Sequence, residues 1–264
     1  MPSVIGDYQD AENTMFVQGL FQTSLTQKQR LGTIRRLDDG REYIYCSNTA
    51  AQLAAGILIS KAAAPQDCTV AAADVTFGGA VGSKTVSVTL TGTPTANLYQ
   101  DGYMVITAGD GIGEMYKIRG NSADDKPASG RCTFHLYEAL RTLWVAASTT
   151  ISVFTNPCAS LLINPAVANA AATTQETVIG ATTMIVPASS YFWAQRKGPG
   201  ALILDVDAAA GGEANEMWII QGTTAGRGLV LADTMTPGMQ IIAHTYESAD
   251  LTDAEANFVN FCIL

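Results

Sequence analysis

A glycine-rich turn between two short apolar runs constrains the fold of this chain more than any other feature. Within Asn97–Ile118, the runs GYMVIT and EMYKI flank the turn AGDGIG. Tyr103 and Val105 alternate with Met104 and Ile106, which is the period of a β-strand and not of a helix. Glycine and aspartate enter the left-handed conformations of tight turns at low cost. The segment therefore predicts a β-hairpin.

Short alternating runs separated by turn residues recur through the rest of the chain, and they predict an all-β protein. Asp38-Asp39-Gly40 indicates a second hairpin, between LGTIRRL and REYIYC. Only two places favour a helical turn: the alanine-rich run before Gly56, and Leu136, Leu140 and Leu143 at helical spacing. We expect a mainly β fold of antiparallel sandwich or barrel domains, with few short helices. The other predicted strands include KTVSVTLT, TTMIVP, SYFWAQR, ALILDVD, EMWIIQ, GLVLAD, MQIIAHTY and NFVNFCIL.

Three sections follow from changes in composition along the chain. The first, residues 1–36, is polar and mixed with one apolar patch at Met15–Phe21, and it fits either an extended arm or a packed element. The second, residues 37–165, is a β-rich domain. A shift toward alanine and threonine places a boundary near Pro165, so residues 166–264 form a C-terminal sandwich or barrel domain.

The charge composition of the chain argues against some classes of binding partner. Of the 264 residues only 15% are charged while 47% are hydrophobic, and the formal net charge is −9. An acidic chain is a poor general binder of nucleic acid, because phosphate contacts need lysine and arginine. A surface poor in charge is typical of proteins that another protein later covers. Five basic residues gather near the N-terminus, and they either pair with the acidic C-terminal part or form an incidental basic turn: Lys28, Arg30, Arg35, Arg36 and Arg41.

Cysteine and histidine usage gives no sign of a metal site or another cofactor. The chain has five cysteines and no CxxC pair, and its two imidazoles are His135 and His244. The first section does not have the basic start and apolar core of a leader sequence, and no apolar run approaches the ~20 residues that span a membrane. We expect a soluble protein made in a reducing cytoplasm, with free thiols, no metal and no membrane partner.

Motifs that resemble catalytic or nucleotide-binding signatures are better explained as turns. Gly78–Thr85 resembles a phosphate-binding loop, but Ser83 stands where the motif needs glycine, and a strand follows where the motif needs a helix. The GDGIGE turn within the central hairpin fails as a dinucleotide motif for the same reason. There is no GxSxG elbow, and both histidines alternate with apolar residues on predicted strands. We expect no catalytic residues.

An aromatic run at Tyr191, Phe192 and Trp193 allows two interpretations. These rings are able to stack on a sugar, or they belong to a buried or interface strand. The second interpretation is favoured, and the three residues are candidate interface aromatics.

Three phrases of the sequence resemble the decoration, or cement, proteins of tailed-bacteriophage capsids. The first is LGTIRRLDDGREYIYCSNTAAQLAAGIL at Leu31–Leu58. The second, TANLYQDGYMVITAGDGIGEMYKIRGN, covers Thr95–Asn121, and the third, SSYFWAQRKGPGALILD, covers Ser189–Asp205. Together they cover about a third of the chain.

The resemblance implies a non-enzymatic virion protein, assembled in the host cytoplasm, that binds the outside of the capsid shell. Such proteins bridge major capsid protein subunits, commonly as homotrimers. A second hypothesis is a head-fibre or tail module that binds a receptor or glycan, and it is motivated by the aromatic residues Tyr191, Phe192, Trp193 and Trp218. A third is an enzyme with an unrecognised site. The candidate capsid-binding residues lie in the N-terminal arm: Met15, Phe16, Val17, Leu20, Phe21, Lys28, Arg30, Arg35 and Arg36.

Overall fold

A computed structural model describes residues 17–61, 68–70, 79–89, 93–123, 131–144, 149–166, 177–205, 218–230, 240–246 and 255–263. These residues form strands and turns only, which confirms the predicted mainly β fold. The two predicted helical turns, before Gly56 and around Leu140, are bends and turns. No part of the described chain forms a helix that could cross a membrane.

Sixteen strands occupy the described ranges. The first eight are β1 (Ile34–Arg36), β2 (Glu42–Ser47), β3 (Leu58–Lys61), β4 (Cys68–Val70), β5 (Thr85–Thr89), β6 (Tyr103–Ala108), β7 (Met115–Asn121) and β8 (Arg131–Leu136). The others are β9 (Thr150–Phe154), β10 (Leu161–Ile163), β11 (Val178–Thr182), β12 (Tyr191–Asp205), β13 (Trp218–Gln221), β14 (Gly228–Val230), β15 (Ile241–Thr245) and β16 (Ala256–Cys262).

The strands belong to two compact units. The first unit comprises Met1–Ala63 and Cys158–Leu264, and the second comprises Ala64–Pro157. In the first unit, β3 and β10 are antiparallel neighbours, with Lys61 opposite Leu161. The second unit is therefore an insertion between two paired strands of the first.

This division differs from the three consecutive sections that the composition predicted. Both the described part of the predicted arm and the region after Pro165 belong to the first unit. The reason is strand pairing across long stretches of sequence: β12 pairs with β2 and with β11, and β11 pairs with β3. A shift in composition marks neither of these pairings.

A closed barrel of five strands forms part of the first unit, in the order β12-β14-β13-β15-β16 and back to β12. Strands that alternate in direction around a ring of five must leave one parallel pair, which here is β12 with β14. The interior is packed with apolar side chains such as Leu202, Leu204 and Val259. Gly228 faces this interior, where an added Cβ would lie 2.7 Å from Ile219 and 2.8 Å from Leu202.

The other half of β12 serves a second core. Residues Tyr191–Lys197 of β12 pair with β2, with a bulge between Gln195 and Lys197. From Lys197 onward, β12 pairs with β16 in the barrel. Phe192 and Trp193 are both buried there, beside Tyr45 of β2. The β1–β2 hairpin precedes this core, and the prediction from Asp38-Asp39-Gly40 is confirmed: Gly40 has φ 87°, which glycine adopts without strain.

The second unit is a six-stranded antiparallel sheet in the order β4-β9-β6-β7-β8-β5. The central hairpin that the sequence predicts is confirmed as β6 and β7, with Tyr103 opposite Lys117. Met104, Ile106, Tyr116 and Ile118 point from it into one core. The alternation seen in the sequence thus corresponds to one buried and one outward face.

Candidate interaction surfaces

The described part of the predicted arm is a packed segment of the first unit. Met15 and Phe16 lie outside the described residues. Ser24 pairs with Tyr191 of β12 through two backbone hydrogen bonds, in which the Ser24 N–H donates over 3.0 Å and the Tyr191 N–H donates over 2.7 Å. The chain at this point adds to the start of β12 by the same bonds that join strands.

Buried side chains hold the same segment in place. The Tyr45 hydroxyl donates to Oε1 of Gln18 over 2.6 Å and accepts the Lys28 N–H over 3.1 Å. The indole N–H of Trp193 donates to the Gln18 carbonyl over 3.1 Å. Burial raises the pKa of the Tyr45 phenol, so its hydroxyl remains a donor at neutral pH. The segment is therefore fixed by the protein's own core.

The three predicted interface aromatics lie on the inner side of this arrangement. Phe192 and Trp193 are buried, and Trp193 is only 1% exposed. Tyr191 is half-buried and stacks on Tyr45 with 6.1 Å between ring centroids. In this structure these rings form the support for the N-terminal segment, and two of the three have no face that a ligand could reach.

Several of the predicted arm residues do face outward. Val17 and Leu25 are each 76% exposed and Phe21 is 49% exposed, whereas Leu20 is buried. Lys28, Arg30 and Arg36 are exposed as well. Arg35 is the exception among the cations, since it is 1% exposed and lies opposite Tyr43 in the hairpin. We call the exposed set the N-terminal patch: Val17, Phe21, Leu25, Lys28, Arg30 and Arg36.

A cavity of about 370 Å³ opens beside Phe21. Pro199, Ala201 and Ile203 of β12 form its apolar wall. Arg41 brings charge to its lining, and the guanidinium donates to Asp39 over 2.7 Å and to the Tyr43 hydroxyl over 3.1 Å. The cavity is thus mainly apolar with a polar side, a mixture typical of small-ligand sites.

The described residues bring no catalytic or metal-binding set together. Among them, no three side chains of histidine, cysteine, aspartate or glutamate cluster in a way that could hold a metal ion. His135 is exposed on β8, and His244 lies against Trp218 on the barrel. Cys46 and Cys158 belong to one buried core, and burial raises the pKa of the Cys46 thiol well above its usual value. A thiol in that state is a weak nucleophile.

One surface feature was predicted from the sequence only in part, through Trp218. Four rings on the outer face of the barrel form an aromatic platform made of Trp218, His244, Tyr246 and Phe258. Trp218 is 43%, Tyr246 56% and Phe258 48% exposed. The runs IAHTY and NFVNF carried the signal, because His244 and Tyr246 flank the small Thr245 in one run, and Phe258 and Asn260 flank Val259 in the other. Without the strand pairing, nothing in the sequence brought the two runs together.

No protein-family model, curated protein or solved structure matches the chain.

Proposed function

We propose that this protein is a non-enzymatic structural protein of a tailed-phage virion that binds the outside of the capsid shell. In this proposal it bridges neighbouring major capsid protein subunits and so stabilises the shell. The proposal rests on the resemblance of the three sequence phrases to capsid decoration proteins and on one structural observation, the N-terminal patch.

The patch supports the proposal because it exposes apolar side chains on a segment that is held in place. Val17 and Leu25 gain nothing from their exposure to water, and burying such a side chain against a partner contributes roughly 1.5–3 kcal/mol. Backbone pairing at Ser24 has already ordered the segment before any partner arrives. The entropic cost of ordering it on binding is therefore small.

The exposed cations of the patch suit an acidic partner surface. Lys28, Arg30 and Arg36 lie within one short stretch of a chain whose formal net charge is −9. A local positive region on an otherwise acidic protein orients its approach to an anionic surface. In our proposal these cations select the face that meets the shell, and the apolar side chains supply the contact.

A homotrimer would multiply these contacts. Three patches linked in one assembly bind a repetitive shell far more tightly than a single patch, because each later contact forms at high effective concentration. The main-chain addition of a free arm to a capsid strand is not required, since the described arm residues already pair with β12.

The proposal is tested by adding purified protein to isolated shells that lack it. We expect the protein to co-sediment with the shells and to raise their thermal stability, because it ties neighbouring subunits together. Leu25→Asp should weaken shell binding at least tenfold. The carboxylate replaces an apolar contact, and its negative charge offsets the positive charge of the patch cations. Both effects are read from co-sedimentation over a range of protein concentrations.

Ile112→Asp is the matched control, since Ile112 is 68% exposed in a turn of the second unit, outside the N-terminal patch. It should bind shells as the unchanged protein does. Equal loss of binding in the two variants would remove the patch from the proposal. Shells that neither bind the protein nor gain heat resistance from it would overturn the function itself.

A further inference from the structure

The aromatic platform on the barrel points to a second binding function. We propose that it is a binding site for a neutral glycan made of pyranose rings with equatorial substituents, such as a β-1,4-linked glucose or N-acetylglucosamine polymer. This inference goes beyond shell binding and rests on different residues.

The strand register places the four rings together. Trp218 lies opposite His244, and His244 lies opposite Asn260 on the next strand. Two residues farther along, the Tyr246 N–H donates to the Phe258 carbonyl over 3.3 Å, which brings the second pair of rings side by side. Residues two apart on a strand are separated by ~7 Å. The platform therefore has two pairs of rings in successive positions along the barrel, one tilted by 42° and one stacked.

Each pair is preorganised by its own ring contact. The Trp218 and His244 centroids are 3.9 Å apart, and those of Tyr246 and Phe258 are 4.7 Å apart with 22° between their planes. Contact with a neighbouring ring restricts the rotation of each side chain. The neighbour does not cover the opposite face of the ring. A ligand that stacks there finds the rings already ordered, so little side-chain entropy is lost on binding.

Sugar rings fit this chemistry well. A pyranose with equatorial hydroxyls presents a flat face of C–H groups, which packs on an aromatic ring, and a rim of hydroxyls that need hydrogen bonds. Asn260 lies beside both ring pairs on β16, opposite His244 and two residues from Phe258, and His244 adds ring nitrogens. The aromatic rings suit the C–H face of such a sugar, and the amide of Asn260 suits its hydroxyls.

The charge around the platform favours a neutral ligand over a nucleic acid. Neither lysine nor arginine is among the platform residues, and Glu255 lies just before β16 on the exposed surface. A single-stranded nucleic acid also stacks on aromatic rings, but its binding depends on cations that track the phosphates. Lys197 is the cation closest in register, opposite Cys262, and one lysine does not form such a track.

The platform runs directly into the cavity described above. Phe258 is the cross-strand partner of Ala201, and Asn260 is the partner of Pro199. Both Ala201 and Pro199 line the cavity, where Arg41 contributes hydrogen-bond donors. A chain of sugar rings lying on the platform therefore has space for its next unit, and this continuity favours an oligosaccharide over a single sugar.

Tryptophan fluorescence tests the proposal on the complete protein. The chain has three tryptophans, and Trp144 and Trp193 are buried, so quenching by acrylamide reports mainly on Trp218. Chitohexaose and cellohexaose are titrated separately, with the oligonucleotide dT12 in parallel. We expect at least one hexasaccharide to reduce the quenching rate of Trp218 about twofold at saturation, and dT12 to have no effect.

Phe258→Ala keeps the reporter and removes one ring. It should weaken hexasaccharide binding about tenfold, since a lost stacking contact of this size is worth roughly 1.4 kcal/mol. Met115→Ala is the control, because Met115 is 55% exposed in the second unit and lies off the platform. Thermal unfolding of both variants verifies that each is folded.

Three results would overturn the proposal. The first is a failure of both hexasaccharides to protect Trp218 at millimolar concentration, and the second is protection by dT12 alone. The third is loss of shell binding by Phe258→Ala, which would assign the platform to the capsid contact. Because Leu25→Asp tests shell binding at separate residues, the glycan site and the proposed virion function fail independently.

Discussion

A single buried carboxylate, that of Asp205, organises the turn that connects β13 to β14. It accepts the Thr224 N–H over 2.5 Å and the Thr223 hydroxyl over 3.2 Å, and it is paired with Arg227 at 3.1 Å. Asp205 is buried, and Arg227 is partly buried. An ion pair in such a setting loses little to screening by water, and the carboxylate satisfies several donors at once.

Asp205→Asn should lower the free energy of unfolding by about 2 kcal/mol, because the amide loses the charge opposite Arg227 and offers one acceptor oxygen in place of two. Urea unfolding at neutral pH measures the change. Asp39→Asn is the matched control: it breaks an ion pair with Arg41, but the Asp39 side chain is 47% exposed where that of Asp205 is 9% exposed, so the expected change is below about 1 kcal/mol. Equal effects from the two substitutions would show that burial does not strengthen the Asp205 pair.

At the residue scale, the sequence could not tell the neighbouring arginines of the first hairpin apart. Arg35 and Arg36 have the same chemistry, and both were predicted to face a partner. The register of the hairpin turns Arg35 toward the core and Arg36 toward solvent. Alternation along a strand predicts that two neighbouring side chains point to opposite faces. Which of the two faces the core depends on the strands that pack on the hairpin.

At the scale of elements, β12 supports the N-terminal segment at one end and closes the barrel at the other. The segment depends on a few buried bonds, of which the hydroxyl of Tyr45 makes two. These bonds hold the N-terminal patch in its exposed position. The stability of the patch is therefore a local property, separable from that of the sheet beneath it.

Tyr45→Phe should release the segment without opening the sheet. Removing the hydroxyl leaves the Lys28 N–H and the Gln18 amide oxygen without that partner, at a cost of about 1–2 kcal/mol. The amide of Ser24 should then exchange with solvent roughly tenfold faster or more in hydrogen-exchange measurements. Tyr43→Phe serves as control, because its hydroxyl on the same strand accepts from Arg41. Faster exchange throughout β12 would contradict a local release.

Elements with their own turn chemistry were predictable from sequence, and those defined by distant partners were not. The β1–β2 and β6–β7 hairpins followed from Asp38-Asp39-Gly40 and from the glycine-rich turn. The burial of Phe192 and Trp193 on neighbouring positions of β12 breaks the alternation expected of a strand with one wet face. It requires cover on both sides of the sheet: the segment near Gln18 covers Trp193 and its cross-strand partner Tyr45 on one side, and Phe192 packs with its partner Cys46 in the core on the other.

At the scale of the whole molecule, each unit has a core of its own. The second unit buries residues such as Val86, Phe134 and Ile151, all from within Ala64–Pro157. The chain leaves the first unit after β3 and returns before β10, and these strands are paired. The composition shift near Pro165 lies close to the return, but it does not show that β3 and β10 pair, so an insertion could not be predicted from it.

Excision of Ala64–Pro157 and its replacement by a short Gly-Ser linker should leave the first unit folded, because the linker only has to join two adjacent strands. The excised segment should also fold alone. Calorimetry of both products should show one cooperative transition each.

Fragments cut at Pro165 provide the comparison, since that cut separates β12 from β2 and β11 from β3. The 166–264 fragment should lack a cooperative transition, and the 1–165 fragment should show only the transition of the second unit. A folded 166–264 fragment together with an unfolded Ala64–Pro157 fragment would contradict the division into these two units.

The pairing of β3 with β10 also determines how the protein bears a mechanical load. A pull on the second unit enters the first at the ends of both strands at once, since Lys61 lies opposite Leu161. The two strands are therefore drawn in the same direction, and the load falls on the hydrogen bonds that join the pair to the rest of the sheet, among them those between β3 and its other neighbour, β11. Tension on the inserted unit is thus passed into the sheet through β11, while the bonds between β3 and β10 carry little of it.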